Sequence, residues 1–402
     1  MTYPLLRDVR ILDASSMIAG DTATGLLGDL GAEVIKVEGP PAGDPVREIE
    51  PLAGHPHLSS RHLVLNRNKR SVTLDVRVPE GRAVFLDLVR KVDVVFDSSA
   101  PGARDALGVG FAACAEARPE IVYCSLSAYG DRSRFAGAPA HAIGPEALSG
   151  LLRPVERPDR RLELRVPSAR IPIAASALAA ALGVLAALHH RDRTGQGVWL
   201  GTSQLQAAVW WQQIQAFEIL NRLPIEQPVD GGGAGARYNF YACRDGGLIV
   251  IMPVERKFWE RFCEVLERPD LKRRGSWEKG RLDFGIDDEN LAIDLEATLR
   301  RRDRTDWLER FSRARVPVIA AMSLDELLAD DTNIGVSDLL CGYDDPRLGR
   351  LRVVEPPLRV VGVEASPPTP APDVGDDTTA ILLELGYTPE RIRDLHDSRA
   401  TF

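Results

Sequence analysis

Within the first 38 residues the chain runs strand, glycine-containing turn, helix, strand, and that order leaves few ways to fold. Val9 to Asp13 is a short apolar run that reads as a strand, Thr22 to Leu30 has helical spacing, and Glu33 to Glu38 (EVIKVE) alternates as a second strand. Two strands joined through a helix lie parallel in one sheet, because the crossover returns the chain to its starting edge. The pattern repeats with Ser71 to Val76 as strand, Gly81 to Val89 as helix and Val92 to Asp97 as strand. Phe111 to Ala117 is then helical and Ile121 to Ser127 is a further strand. The expected class is therefore α/β, with a large doubly wound parallel-sheet domain. At 402 residues the chain exceeds what one core usually organises, so a second domain is expected.

That second domain begins where the pattern changes. Arg153 to Arg170 is charged and carries three prolines, which reads as a surface loop. The helix expected at 174–190 holds the longest apolar stretch, Ala174 to Leu188, interrupted by Ser176 and Gly183. It falls short of the roughly 20 apolar residues of a membrane span and reads as a buried helix. Thr202 to Leu220 is helical in pattern and leads to the glycine loop PVDGGGAGAR. Tyr238 onward reads as a hairpin turning at Asp245-Gly246, followed by helices at 257–267 and 291–313. Pro356 to Pro372 is an extended strap, and Thr378 to Leu385 a last helix capped by Gly386. The expected division is 1–200 for the first part of the large domain and 201–230 for a connecting helix. A smaller α+β domain follows at 231–330, and 331–402 returns as a strap and helix onto the large domain.

Formal net charge is −8, which argues against nonspecific binding to nucleic acid or an anionic membrane. The five cysteines (114, 124, 243, 263, 341) are scattered without CxxC spacing, as in reduced core thiols, so neither disulfide nor metal is expected. The opening MTYPLLRDVRILD lacks a charged segment followed by an apolar one, so no signal peptide is expected and the compartment is read as cytoplasmic.

Several segments carry candidate chemistry. Asn66-Arg67-Asn68-Lys69-Arg70 places three cations in four residues just before a strand. Such a run either binds phosphate or is a solvated charged face. Arg47, in GDPVR, is a second phosphate candidate. Asp21 reads as a helix N-cap, where an acid suits the dipole but repels an anionic ligand. The glycines of Asp230 to Arg237 permit the backbone angles of a lid, or make a flexible linker. Trp210, Trp211 and Phe217 either line an aromatic pocket or pack an interface between subunits.

Six blocks, in order and spacing, resemble the family III CoA-transferases (the formyl-CoA transferase, CaiB/BaiF and alpha-methylacyl-CoA racemase group). They are RILDASSMIAGDTATGLLGDLGAEVIKVEGPPAGDPVR, LNRNKRSVTLDVRVPEGRAVFLDLV, DVVFDSSAPGARDALGVG with IVYCSLSAYG, RDRTGQGVWL, ERKFWERFCEVLERPDL and GDDTTAILLELGY. The resemblance implies ring-shaped subunits interlocked as an obligate dimer. It also implies coenzyme A or an acyl-CoA as substrate with a small carboxylic acid as partner, and CoA-phosphate contacts from Arg47, Asn66, Arg67, Lys69 and Arg70. Gly231, Gly232 and Gly233 match the mobile lid of the formyl-CoA transferase branch.

The resemblance also marks departures. The family's nucleophilic Asp, ten residues before the Gly matching Gly183, falls on Ile173, and no Asp or Glu lies between Glu163 and Asp192. In the transferases that carboxylate attacks the thioester and forms a mixed anhydride. The nearby hydroxyl, Ser176, has no activating base in sequence. His141, in APAHAIGPEALSG, matches the catalytic His of the racemases, and Glu255 matches the Glu that supports it. An imidazole can exchange a proton with a carbon acid, but a hydrogen-bonded His lining a loop accounts for His141 equally well. The Asp usual after the racemase His is Ala142, and Ala100 stands where an aromatic or Arg is common. Three readings follow: a heteromeric transferase subunit lacking its nucleophile, an acyl-CoA racemase, epimerase or lyase using His141 as base, and a non-catalytic CoA-binding protein. A homologous catalytic subunit as partner separates the first from the others, which leave a homodimer.

Overall fold

In the computed structural model β1 (Arg10–Ala14), α1 (Met17–Asp29) and β2 (Glu33–Glu38) form the first parallel crossover. The chain is described throughout except at residues 56, 158, 165–168, 224–234, 278–281, 287 and 330–338. It divides into two units, Met1–Leu220 with Asp338–Phe402, and Asn221–Ser337.

In the first unit α2 (Ser60–Leu65), β3 (Lys69–Thr73), α3 (Pro79–Val89) and β4 (Val94–Asp97) follow. Next come α4 (Ala103–Ala106), α5 (Phe111–Ala117), β5 (Val122–Ser127) and α6 (Ile143–Leu148). A two-residue ribbon, β6 (Val155–Glu156) with β7 (Leu162–Glu163), interrupts the expected loop. Then α7 (Ile171–Thr194) leads to β8 (Val198–Ser203), α8 (Gln204–Trp211) and α9 (Gln213–Leu220). The sheet order is β3-β2-β1-β4-β5-β8, parallel throughout. The first five of these strands, largely buried, were legible in the sequence, while β8, exposed at alternate residues, was not.

Alternate residues feed two cores. Leu12, Ile35, Val95 and Tyr123 pack on one face, joined by Val84 and Leu88 of α3. Ile11, Val34, Val94 and Val122 pack on the other with Ala23 and Leu27 of α1 and Ala177, Ala180 and Val184 of α7. Small side chains let α7 lie close to the sheet; a Cβ at Gly183 would come within 2.9 Å of Leu200. The helix is long and apolar enough to cross a membrane, but its inner face is spent on this core.

Two expectations for α1 are corrected. The helix starts at Met17, before Gly20, so Gly20 is no turn residue; its missing Cβ admits Ser15, whose Oγ would lie 2.2 Å away. Asp21 is not a cap either, for Ser16 holds that position and Asp21 is buried a turn further in.

The second unit pairs β9 (Asn239–Ala242) and β10 (Leu248–Ile251) about Gly246, whose φ of 79° suits the turn. It continues with α10 (Arg256–Val265), α11 (Glu289–Leu299), α12 (Arg304–Arg313), β11 (Val318–Ala321) and α13 (Leu324–Ala329). The strands form an antiparallel sheet in the order β11-β10-β9. Its core stacks Trp259, Phe262, Phe311 and Trp307 with ring centroids 5.0–5.6 Å apart. The single helix expected at 291–313 is two, and the Trp307 indole donates to the Leu299 carbonyl (2.7 Å) where the first ends.

The chain returns to the first unit through the hairpin β12 (Leu340–Asp345) and β13 (Gly349–Val354) and an extended run containing Pro356 to Pro372. Then α14 (Thr378–Glu384) and α15 (Pro389–Asp397) pack their Ile381, Leu382, Ile392 and Leu395 into the first core. The helix ending at Gly386 is therefore not the last. Thr388 caps a further one, with Pro389 at its first position.

Candidate active site

Strand order reverses direction between β1 and β4, and in open parallel sheets ligands bind beyond the carboxyl ends of strands at such a switch. A pocket of about 500 Å³ lies there. The chain beyond β1 contributes Ser16 to Ala19, that beyond β4 Ser98 and Ser99, and the end of β5 Leu126 to Ala128. His141, before α6, and Ile173, in the first turn of α7, line the same cavity.

Ile173 is 9% exposed and belongs to the core cluster that includes Ala19, Leu126 and Ala177, so this wall of the pocket is the hydrophobic core itself. His141 is exposed, its carbonyl accepts from Gly144 N (2.9 Å), and its ring has no hydrogen bond among the described residues. Ser98 Oγ accepts from Ser16 N (2.9 Å) and donates to Ser16 O (3.1 Å), tying the β1 and β4 ends together. Ser176 is buried, its hydroxyl donating to Ile173 O (3.1 Å) within the helix. The first N–H groups of α1 have no intrahelical acceptor and Ser16 makes no side-chain cap, so a carbonyl oxygen brought to Ile18 and Ala19 can be polarised there.

A buried ionic cluster holds this rim. Lys36 Nζ reaches Asp21 (2.6 Å) and Asp44 (2.8 Å), and Lys69 Nζ reaches Asp13 (3.0 Å) and Asp21 (3.6 Å). Asp44 also accepts from the amide of Met17 (3.1 Å), a residue held at φ 70°, where non-glycine residues are strained. Burial opposes the charge on Lys36, yet Asp21, Asp13 and Asp44 keep its ammonium well above the ordinary value. Burial would likewise raise Glu38, but hydrogen bonds from Arg47 bring it down to about 2. His62 is pushed down to about 3 by burial and by the Arg47 guanidinium beside it.

These contacts correct part of the phosphate cradle expected from sequence. Arg47 is 1% exposed, paired with Glu38 (2.6 Å) and bound to Pro372 O (3.1 Å). Asn66 is fully buried on Asp21 (3.0 Å), and Lys69 is 4% exposed. All three are enclosed, drawn inward by carboxylates on the neighbouring strands and on α1. Arg67, paired with Asp29, and Arg70, paired with Glu384 (2.7 Å), Glu33 and Asp377, remain partly exposed. Glu255 stands in the second unit as N-cap of α10, half-buried, without a side-chain cap bond. Gly231, Gly232 and Gly233 lie outside the described residues.

Sequence reasoning missed Asp44 and Ser98. Asp44 stood in the quoted GDPVR beside Arg47, and that motif was the available signal. Glu146 pairs with Arg170 (2.7 Å), joining α6 to the residue before α7, while its second carboxylate oxygen is buried without a partner among the described residues. Trp210 and Trp211, 60% and 56% exposed, border a separate groove of about 570 Å³ with Leu178 and Leu182 of α7, away from Ile173 and His141.

An open parallel sheet with a pocket at its switch point, and a smaller antiparallel unit, define an α/β enzyme-like architecture. The chain belongs to CoA-transferase family III, whose model matches residues 6–378. It is 28% identical to the succinyl-CoA:glutarate CoA-transferase of Homo sapiens, over 97% of this chain and 88% of that protein. It is 26% identical to the alpha subunit of the succinyl-CoA–L-malate CoA-transferase of Chloroflexus aurantiacus, over 98% and 92% respectively. The crystal structure of Rv3272 from Mycobacterium tuberculosis, orthorhombic form, superposes with a TM-score of 0.78 at 28% identity, covering 94% of this chain and 99% of that one.

Proposed function

We propose that this chain is the subunit without a nucleophilic acid in a heteromeric CoA-transferase. The assembled enzyme moves CoA from an acyl-CoA, such as the succinyl-CoA named for several relatives, to a small carboxylic acid. The observation that carries this reading is Ile173 on the pocket wall, where the family resemblance expects the attacking Asp. An aliphatic side chain cannot form the mixed anhydride. A homologous partner supplies the acid, as the alpha-subunit name of the malate relative supports. Arg67 and Arg70 are the remaining candidates for CoA phosphate, and Gly231 to Gly233 for the lid. The exposed apolar residues of α7 to α9 suit the interlocked dimer interface. Incubated alone with succinyl-CoA and labelled succinate, the purified chain is expected to give no exchange of label; exchange at enzymic rates contradicts the reading.

The ring of His141, without a hydrogen bond among the described residues, favours a second reading, an acyl-CoA racemase, epimerase or lyase with His141 as base and Glu255 as its support. It requires α-proton exchange of a bound acyl-CoA in heavy water, abolished in His141→Ala.

A further inference from the structure

The cavity at the switch of the sheet has two ends. Its lining is drawn from the chain at or beyond the ends of β1, β4, β5 and β8, which lie side by side in that order. Neighbouring strands lie about 4.8 Å apart, so the three steps from β1 to β8 cover about 14 Å. At the β1 end are Ile18 and Ala19, in the first turn of α1, with Ile173 in the same core cluster as Ala19. At the β8 end is Gln204, the first residue of α8. Ser127, at the end of β5, pairs in register with Ser203 and so stands next to Gln204.

The polar groups at the β8 end are uncommitted. Neither end of the Gln204 carboxamide is hydrogen-bonded among the described residues, and its Oε1 is buried. An unpaired buried amide is costly, and a native protein keeps one where something other than the chain completes it. Ser127 Oγ accepts from Gly130 N (3.0 Å), while its own proton is unused among the described residues. Ser203, by contrast, is taken up as the cap of α8, accepting from Gln206 N (3.0 Å). No Lys or Arg is among the described residues that line the cavity, so recognition at this end falls to neutral groups.

We propose that Gln204 is a specificity-determining residue of this pocket, selecting a short diacid that carries a hydroxyl beside one of its carboxylates. A carboxamide offers a donor and an acceptor side by side, and its last torsion turns readily. A 2-hydroxy carboxylate is its complement: one carboxylate oxygen accepts from Nε2 and the hydroxyl donates to Oε1. Ser127 donates to the other carboxylate oxygen. The second carboxyl then lies toward Ile18 and Ala19, across a span that a short diacid bridges once Gln204 reaches in. A diacid without the hydroxyl leaves Oε1 unpaired. The proposal rests on the reading of the chain as part of a transferase acting on small carboxylic acids, and it names the acid.

The test titrates the full-length chain calorimetrically with L-malate, D-malate, succinate and CoA; malate and succinate differ by one hydroxyl. The tighter-binding malate is expected to exceed succinate at least about tenfold in affinity. Gln204→Leu is expected to bring malate down to the level of succinate, a change in ratio that a merely structural role for Gln204 does not produce. Gln204→Met makes the same test if the first variant does not fold. Equal affinity for malate and succinate in the unaltered chain, or a preference for succinate, overturns the proposal and leaves the transferase reading intact. A preference that survives both substitutions, or a loss of both acids in equal proportion, overturns the role of Gln204. If CoA binds and no acid does, the proposal alone falls; if nothing binds, the transferase reading falls with it.

Discussion

Lys36 shows what the charged residues of this chain do. Its ammonium sits among Asp21, Asp44 and Asp13 in the interior and fastens the strained Met17 amide through Asp44. Removing one partner from such a buried set leaves uncompensated charge, so Lys36→Met is expected to destabilise the protein by about 3–5 kcal/mol in denaturant titrations. His62 sets a pH dependence. Its folded pKa, pushed down to about 3, lies below the ordinary value of 6.5, so between those limits the unfolded chain binds the additional proton. Stability falls as pH drops from 6.5 toward 3, by up to about 1.4 kcal/mol per unit from this group. Glu38, held at about 2 against 4.5, adds a loss of the same sign below pH 4.5. Denaturation midpoints at pH 7 and pH 4 check the sum, and His62→Gln is expected to flatten the slope above pH 4.5. The cations at 66–70 were legible as cations, but not their direction. Lys69 meets an acid 56 residues away and Arg70 one 314 residues away, and such pairings follow from strand order, which spacing along the chain does not reveal.

Among the elements α7 has two jobs. Its alanines serve the core, while Leu178 and Leu182 face outward beside Trp210 and Trp211. If this face is the subunit interface, Leu182→Glu combined with Trp211→Glu lowers the mass found by light scattering from dimer to monomer with helicity kept; an unchanged dimer assigns the face another role. In the second unit Trp307 both stacks on Phe311 and closes α11 through its indole, so Trp307→Ala is expected to cost about 3–5 kcal/mol by chemical denaturation. β1 to β5 were legible because they are largely buried on both faces, and α7 because its apolar run is long, whereas β8, with alternate residues exposed, was not read as a strand. The break between α11 and α12 was not, since it depends on an indole reaching a carbonyl eight residues back. The pocket was legible in part: His141 and Ile173 were singled out and line one cavity, but the seryl clamp of Ser16 and Ser98 spans 82 residues and had no local signal.

At the scale of the molecule, a parallel-sheet unit that presents a pocket and a smaller antiparallel unit each carry their own core. Membership of CoA-transferase family III accounts for the architecture, and Ile173 lines the pocket wall, which the proposed function reads as the place of the attacking acid. The claim that joins these facts is that a second, related chain completes the enzyme. Native mass spectrometry of the tagged chain recovered from its own cells tests it most directly. The expected result is a complex with a homologous subunit of similar mass that carries an Asp where this chain has Ile173; a pure homodimer that transfers CoA contradicts it.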